Sequence, residues 1–317
     1  MRLQLALDEG LTLGGPVDVR LPTADYDLAA LDDARVHTPD WFVAQAFRGR
    51  VPVNPEPARV AATVVVAPRS KALAQHVIAE AVARTDGLVI VDGQRTDGID
   101  SLWKACRKRA DVQGTITKAH GRLFWMQAEP DAFADWVWEA PDVYGFTLLP
   151  GVFSADGIDP GSLALAEVMP ERMEGRVIDL GAGWGYLSAV AQYRGAEFVD
   201  LVDSNADALM CAQRNVEPER AAFHWHDATT WEHRAQADFV IMNPPFHEGR
   251  KGNPDLGRAF IAAAARCLKP RGSLWMVANR HLPYEDALAA HFGKVEPVDG
   301  PPGSQGFKLF HATRPKR

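Results

Sequence analysis

At 317 residues, with 47% hydrophobic and 24% charged side chains, the chain has the make-up of a globular protein long enough for two domains, each with its own core. A formal net charge of −7 excludes capture of nucleic acid by bulk electrostatics, so a polyanionic partner has to be met by local basic patches. Three scattered cysteines (Cys106, Cys211, Cys267) without a CxxC pair argue against zinc and against a disulfide framework, and no apolar run approaches the roughly 20 residues of a membrane span. Asp8 and Glu9 interrupt the first apolar stretch, which is read as no signal peptide. The expected location is the cytoplasm, the expected state a monomer, and neither a metal nor a membrane is an expected partner.

Residues 1 to about 60 are rich in Asp, Pro and Leu and weakly periodic; only a helix over Pro39 to Phe47, with Thr38 as its cap, is expected there. Ala62 to Ala67 then reads as a strand, Ser70 to Arg84 as a helix with apolar residues at Leu73, Val77, Ile78 and Ala81, and Leu88 to Val91 as a second strand. Asp100 or Ser101 can cap a helix through Arg109, and Thr115 to Lys118 and Leu123 to Gln127 read as strands around His120-Gly121. Alternating strands and helices imply an α/β layer architecture. The first strand runs into Ala67-Pro68-Arg69-Ser70 and not into a glycine-rich turn, so no nucleotide loop is visible in this half. Six basic residues against one acid, Asp111, lie between Trp103 and Arg122: Lys104, Arg107, Lys108, Arg109, Lys118 and Arg122. Such a cluster can hold phosphates without reading sequence, or be a solvated helix face.

Composition shifts between Pro130 and Leu149, which places a boundary near residue 140. Asp159-Pro160 is a cap and first-turn pair for a helix over Ser162 to Met169. Strands at Arg176 to Leu180, Phe198 to Val202, Ala221 to Trp225 and Phe239 to Met242 follow, with helices between the first three ending at Arg194 and Asn215. A helix from Arg258 to Leu268, a strand from Ser273 to Ala278, a helix from Pro283 to Phe292, and an antiparallel edge pair at Val295 to Val298 and Phe307 to Ala312 complete a doubly wound sheet of about seven strands.

The first of these strands opens into Gly181-Ala182-Gly183-Trp184-Gly185, and an acid, Asp179, stands two residues before the first glycine. A dinucleotide fingerprint would carry its third glycine one residue later, and an acid beside the loop repels a pyrophosphate but suits a zwitterionic amino-acid moiety. Asp203 is spaced to meet a ribose diol, and Asp227, with Ala228 after it, to meet an adenine amino group. At the fourth strand end stands Asn243-Pro244-Pro245-Phe246-His247, a rigid polar-then-aromatic turn where two prolines forbid further pairing. Taken alone, that turn is either chemistry on a flat substrate or a loop whose Phe246 covers the core. Trp184 can lie over a ligand or pack under the helix; His224 and His226 share a strand face but lack a third metal ligand.

This arrangement resembles class I S-adenosylmethionine-dependent methyltransferases, and within them the ribosomal RNA small subunit methyltransferase C family and its large-subunit sister, which methylate N2 of guanine. The residues that carry the resemblance are Leu149-Pro-Gly-Val-Phe-Ser-Ala-Asp-Gly-Ile-Asp159 with Gly161-Ser162, then Asn243-Pro-Pro-Phe-His-Glu-Gly249, Val277-Ala-Asn-Arg-His-Leu-Pro-Tyr284 and Gly306-Phe-Lys-Leu-Phe310. A looser match runs through Val66-Ala-Pro-Arg-Ser-Lys71 and Asp92-Gly-Gln-Arg-Thr-Asp-Gly98. The resemblance implies a Rossmann-like catalytic domain over 141–317, preceded over 1–140 by a degenerate methyltransferase-like copy that has lost the cofactor and positions RNA. It implies S-adenosylmethionine as cofactor, held by Asp179, Gly181, Ala182, Gly183, Asp203, Asp227, Ala228 and Asn243, with Phe153 and Ser154 near its methionine end. The insertion from Asp299 to Gln305 and the acidic net charge depart from the family pattern.

The implied chemistry is methyl transfer to a guanine N2 in 16S ribosomal RNA, with the RNA or the small subunit as partner. Asn243 and the Pro244 carbonyl would orient the exocyclic amine, Pro245 would stiffen the turn, and Phe246 would stack on the base. Lys104, Arg107, Lys108 and Arg109, and Arg250 and Lys251 behind the turn, are the expected phosphate contacts, with Arg258 beside them. The rivals are a guanine of 23S ribosomal RNA, another planar nitrogen (adenine N6 or a protein glutamine), and a ribosome-assembly factor without catalysis.

Overall fold

The computed structural model describes residues 2–139, 144–232, 235–245, 247–248, 251–252 and 254–316. The chain divides into two compact units, 1–140 and 141–317.

In the first unit the elements are α1 (Arg2–Asp8), β1 (Val17–Arg20), β2 (Ala34–His37), α2 (Trp41–Phe47), β3 (Val60–Val66), α3 (Lys71–Arg84), β4 (Thr85–Gln94), α4 (Ile99–Cys106), β5 (Val112–Lys118) and β6 (Gly121–Gln127). They build one six-stranded sheet in the order β2-β1-β3-β4-β6-β5, parallel from β2 to β4 and antiparallel at β6 and β5. The valine run of β3 is buried almost throughout, as a central parallel strand covered on both faces requires. Ala74, Val77, Ile78, Ala81 and Val82 of α3 cover one of those faces.

The first sixty residues contain α1, β1 and β2, which their weak periodicity does not announce, because strands of four residues are too short to show an alternation. Helix α2 starts at Trp41 and not at Pro39: the Asp40 carboxylate accepts from Phe42 and Val43 N–H at 2.8 and 3.1 Å, and the Thr38 hydroxyl accepts from Asp40 N–H. Helix α4 begins directly after Gly98 and stops at Cys106, three residues short of Arg109. Asp100 gives it no cap, because its carboxylate is taken by Arg122 at 2.8 Å and Arg95 at 3.3 Å.

The second unit comprises α5 (Pro160–Val168), β7 (Gly175–Leu180), α6 (Tyr186–Tyr193), β8 (Ala196–Asp203), α7 (Ala206–Asn215), β9 (Ala221–Trp225), β10 (Ala237–Met242), the short pair β11 (His247–Glu248) and β12 (Lys251–Gly252), α8 (Pro254–Cys267), β13 (Leu268–Asn279), α9 (Glu285–His291), β14 (Phe292–Val298) and β15 (Phe307–Pro315). Its seven-stranded sheet has the order β14-β15-β13-β10-β7-β8-β9, with β9 to β13 parallel and β15 and β14 antiparallel. This is the doubly wound α/β sheet expected for a class I methyltransferase. The order reverses between β7 and β10, so the crevice at the carboxyl ends of these strands is where such a sheet takes its ligand.

The first unit has the same order with the strand equivalent to β9 missing: β2, β1, β3, β4, β6 and β5 correspond to β8, β7, β10, β13, β15 and β14. Registers align the two residue by residue. Arg20 pairs with Val65 where Asp179 pairs with Ile241, and both β3 and β10 run on into a proline, through Ala67 in one and Asn243 in the other. Arg20 thus stands at the place of Asp179 and Ala67 at that of Asn243. The Arg20 guanidinium is 2.6 Å from Glu80. The first unit thus repeats the sheet order of the second with an arginine and an alanine at the places of Asp179 and Asn243.

All three cysteines are buried and free, and burial pushes the Cys106 thiol up to about 12 and those of Cys211 and Cys267 up to about 11. In the second unit Tyr284 is 0% exposed, its hydroxyl has no partner among the described residues, and its ring fills the space that a side chain at Gly257 of α8 would need. A buried unpaired hydroxyl is destabilising by about 1–3 kcal/mol. Tyr284→Phe is therefore expected to leave stability unchanged or to raise the melting temperature by about 2–4 °C. A lower midpoint in a thermal melt would show that the hydroxyl has a partner after all.

Candidate active site

The turns after β7 and β10 line one cleft together with the start of α5, with Phe153, Asp159, Ser162, Gly181, Gly183 and Asn243 among its lining. Three glycines of the turn after β7 hold left-handed backbone, at φ +76° (Gly181), +54° (Gly183) and +88° (Gly185). Ala212 lies 3.1 Å from where a Cβ at Gly185 would sit, so glycine is required there by space as well as by conformation.

Asp179, at the end of β7, is 1% exposed. Its Oδ2 accepts from the Ser188 hydroxyl at 2.7 Å, while its Oδ1 is buried and has no partner among the described residues. Burial, with the nearby Asp203 charge, pushes this carboxyl up to about 7. Asp203, at the end of β8, accepts from Gly183 N–H and from Asn205 N–H, both at 2.8 Å, and burial raises its carboxyl too. Asp227, after β9, accepts from the N–H and hydroxyl of Thr229 at 2.8 and 2.7 Å. Ala228 is 4% exposed and packs in the core cluster of the second unit.

Asn243 ends β10. Its Nδ2 donates to the Asp159 carboxylate at 2.8 Å and to the Ser162 hydroxyl at 2.9 Å, and no described residue bonds its Oδ1. Pro244 is buried and Pro245 exposed, and the Pro245 ring approaches the Gly181 turn. Phe246 and Arg250 lie outside the described residues, and so do the side chains of His247 and Lys251. Phe153 is 58% exposed at the mouth of the cleft, and Ser154 beside it has φ +54°.

Several expectations change on this geometry. Trp184 packs in a buried cluster with Phe146 and Tyr186, at centroid distances of 5.0 and 5.7 Å, and the Asn215 carboxamide clamps its carbonyl to Thr147. His224 is 2.9 Å from Asp200, which also holds Arg176 at 2.7 Å, and no group of three metal-binding side chains exists among the described residues. Arg109 is committed within its own unit, to Asp135 at 2.6 and 2.8 Å and over the Trp136 ring, whereas Lys104, Arg107 and Lys108 are exposed. Arg258 is tied to Asp255 of its own helix. Sequence reasoning gave Asp159 only a capping role and did not single out Ser188, Tyr186 or Leu187; nothing in local spacing marks them.

The methyltransferase small domain model matches residues 143–311, which sets the second unit in that class. Curated relatives are the ribosomal RNA small subunit methyltransferases C of Hahella chejuensis, 32% identical over 253 residues (75% of this chain, 72% of the relative), and of Shewanella amazonensis, 31% identical over 256 residues (74% and 73%). This chain belongs to the ribosomal RNA small subunit methyltransferase C family. The same fold extends over both units of a solved T. thermophilus 16S rRNA N2 methyltransferase in complex with AdoMet and guanosine, with a TM-score of 0.75 at 22% identity over 98% of this chain and 91% of that one.

The raised Asp179 carboxyl sets a pH dependence. Its protonated form stabilises the fold fully below the ordinary carboxylate value of 3.8, and this contribution is lost as pH rises through about 7. Asp179→Asn should therefore be more stable than the parent at pH 8 and lose that advantage towards pH 4. Denaturant melts across this range check it, and parallel profiles would remove the assignment.

Proposed function

We propose that this chain transfers a methyl group from S-adenosylmethionine to the exocyclic N2 of a guanine in 16S ribosomal RNA, in the cytoplasm, with the RNA or the small subunit as its partner. The observation that carries the reading is the Asn243 carboxamide, held by its nitrogen at the end of β10 beside the Asp179 turn, with its oxygen left over. The names of the relatives and the guanosine bound to the T. thermophilus enzyme support ribosomal RNA and guanine.

The residues present fit the cofactor. The orphaned buried oxygen of Asp179 suits the ammonium of an amino-acid moiety, the glycine turn admits a ligand against the backbone, and Asp203 and Asp227 suit a ribose diol and an adenine amino group. Gly181, Ala182 and Gly183 form the floor, the backbone of Ala228 and the segment at Phe153 and Ser154 the flanks. Bound there, S-adenosylmethionine supplies an activated methyl on a positively charged sulfur.

Guanine's exocyclic amine is a poor nucleophile because its lone pair is delocalised into the ring. Asn243 Oδ1 and the Pro244 carbonyl accept its two N–H bonds and turn the lone pair towards the methyl; Pro245 keeps the turn rigid. Phe246 stacks on the base, an interaction worth about 1–3 kcal/mol, and a paired target is flipped out first. Once methylated, the attacking nitrogen would be strongly acidic and would release its proton to solvent, so no tuned base is assigned. The first unit, without the cofactor groups, positions RNA through Lys104, Arg107 and Lys108; Arg250 and Lys251 grip phosphates behind the turn.

In a tritium-methyl assay on 16S RNA and small subunits, with the product nucleoside identified by mass spectrometry, N2-methylguanosine is expected. Labelled adenine, labelled protein or labelled 23S RNA would overturn the choice of target. Asn243→Ala should lower transfer by on the order of 10²–10³-fold or more while S-adenosylmethionine affinity by calorimetry stays within about twofold. Equal losses in both would end its role as base holder. Lys104→Glu with Lys108→Glu should weaken RNA binding and lower its salt slope by about 1 for each phosphate no longer neutralised, with cofactor affinity unchanged.

A further inference from the structure

We infer that Asp159 and Ser162 are positioning residues for methyl transfer, fixing which end of the Asn243 carboxamide faces the base. The inference rests on the proposed role of Asn243. Asp159 caps α5, and for that it needs one acceptor, which Ser162 N–H engages at 2.8 Å on Oδ2; Pro160 in the first turn has no N–H to satisfy. The same Oδ2 takes one hydrogen of Asn243 Nδ2 at 2.8 Å, across 84 residues of sequence, and the Ser162 hydroxyl takes the other at 2.9 Å. Both amide hydrogens are thereby used on the α5 side.

A carboxylate only accepts. A reversed Asn243 carboxamide would set its oxygen against Asp159 Oδ2, acceptor on acceptor, and would turn two donors towards a substrate that itself offers N–H groups. The carboxylate is locked in its turn. A side chain at Gly161 would meet Asp159 Oδ2 and the Phe307 ring, both at 3.0 Å, so the missing Cβ lets the three groups close on one another. Ser162 is 8% exposed, as a group serving the interior and not solvent. Asp159 and Ser162 therefore polarise the choice between the two carboxamide orientations before any base arrives, which is pre-organisation of the kind that raises kcat and not substrate affinity.

A capping role alone and a positioning role are separated by substitution at 159. Serine caps helices as well as aspartate does, but its hydroxyl is a carbon shorter and can donate as well as accept. Asparagine keeps an acceptor in the place of Oδ2. Asp159→Ser combined with Ser162→Ala is expected to keep the melting temperature and S-adenosylmethionine affinity of the parent, to keep KM for the RNA, and to lose on the order of 10²-fold in kcat. Asp159→Asn should return to within a few fold of the parent. Parent-like kcat in the double variant would overturn the inference, as would a loss of kcat matched by a loss of stability or of cofactor affinity. Mass spectrometry of the parent's product separates the two claims: a methylated nucleoside other than N2-methylguanosine removes the guanine reading, whereas the ratio of rates on that product still judges Asp159 and Ser162.

Discussion

The register of β10 on β7 governs the rest of the site. Val240 lies opposite Ile178 and Ile241 opposite Asp179, so the buried carboxylate and Asn243 emerge from neighbouring strands at adjacent heights. A slip of one residue would turn every side chain of β10 to the other face and exchange Asn243 for Met242 or Pro244. The register is itself fixed by burial on both faces, since Val240, Ile241 and Met242 are all in the core. Packing energy spread over the whole sheet thus sets a spacing at its edge, and the two prolines after Asn243 keep the strand from running further.

The two units show what that sheet does with and without a site. They share strand order and the antiparallel edge, yet in the first an arginine stands where the second has Asp179. The position is compatible with either charge provided that a partner is present, and in the first unit Glu80 supplies one. Loss of the glycine turn follows the same logic: without a ligand to approach, β1, the counterpart of β7, passes through Leu21 into Pro22 with no glycine after it.

Much of the second unit was legible because its helices carry their own punctuation. Asp159-Pro160, the glycines after β7 and the asparagine cap of α7 all mark boundaries by local chemistry, and the strand ends with their acids follow from them. Within the first sixty residues only the capping pair Thr38 and Asp40 before α2 gives such a mark, and Asp100 misled because a residue suited to capping was claimed by Arg122 of β6. For the same reason the contact of Asp159 with Asn243 could not be read locally: the residues are 84 apart, and only the sheet brings them together. Arg109 shows the limit of charge counting, since its guanidinium belongs to Asp135 and the Trp136 ring.

The unsatisfied oxygen of Asp179 has a meaning beyond ligand binding. A buried carboxyl raised to about 7 is a local defect of the folded state, and at the equivalent position of the sister half stands an arginine paired with Glu80. Within a single polypeptide the molecule thus contains both sides of the trade between activity and stability. At this one position the second unit keeps an unrelieved group in its core, where the first has a paired one.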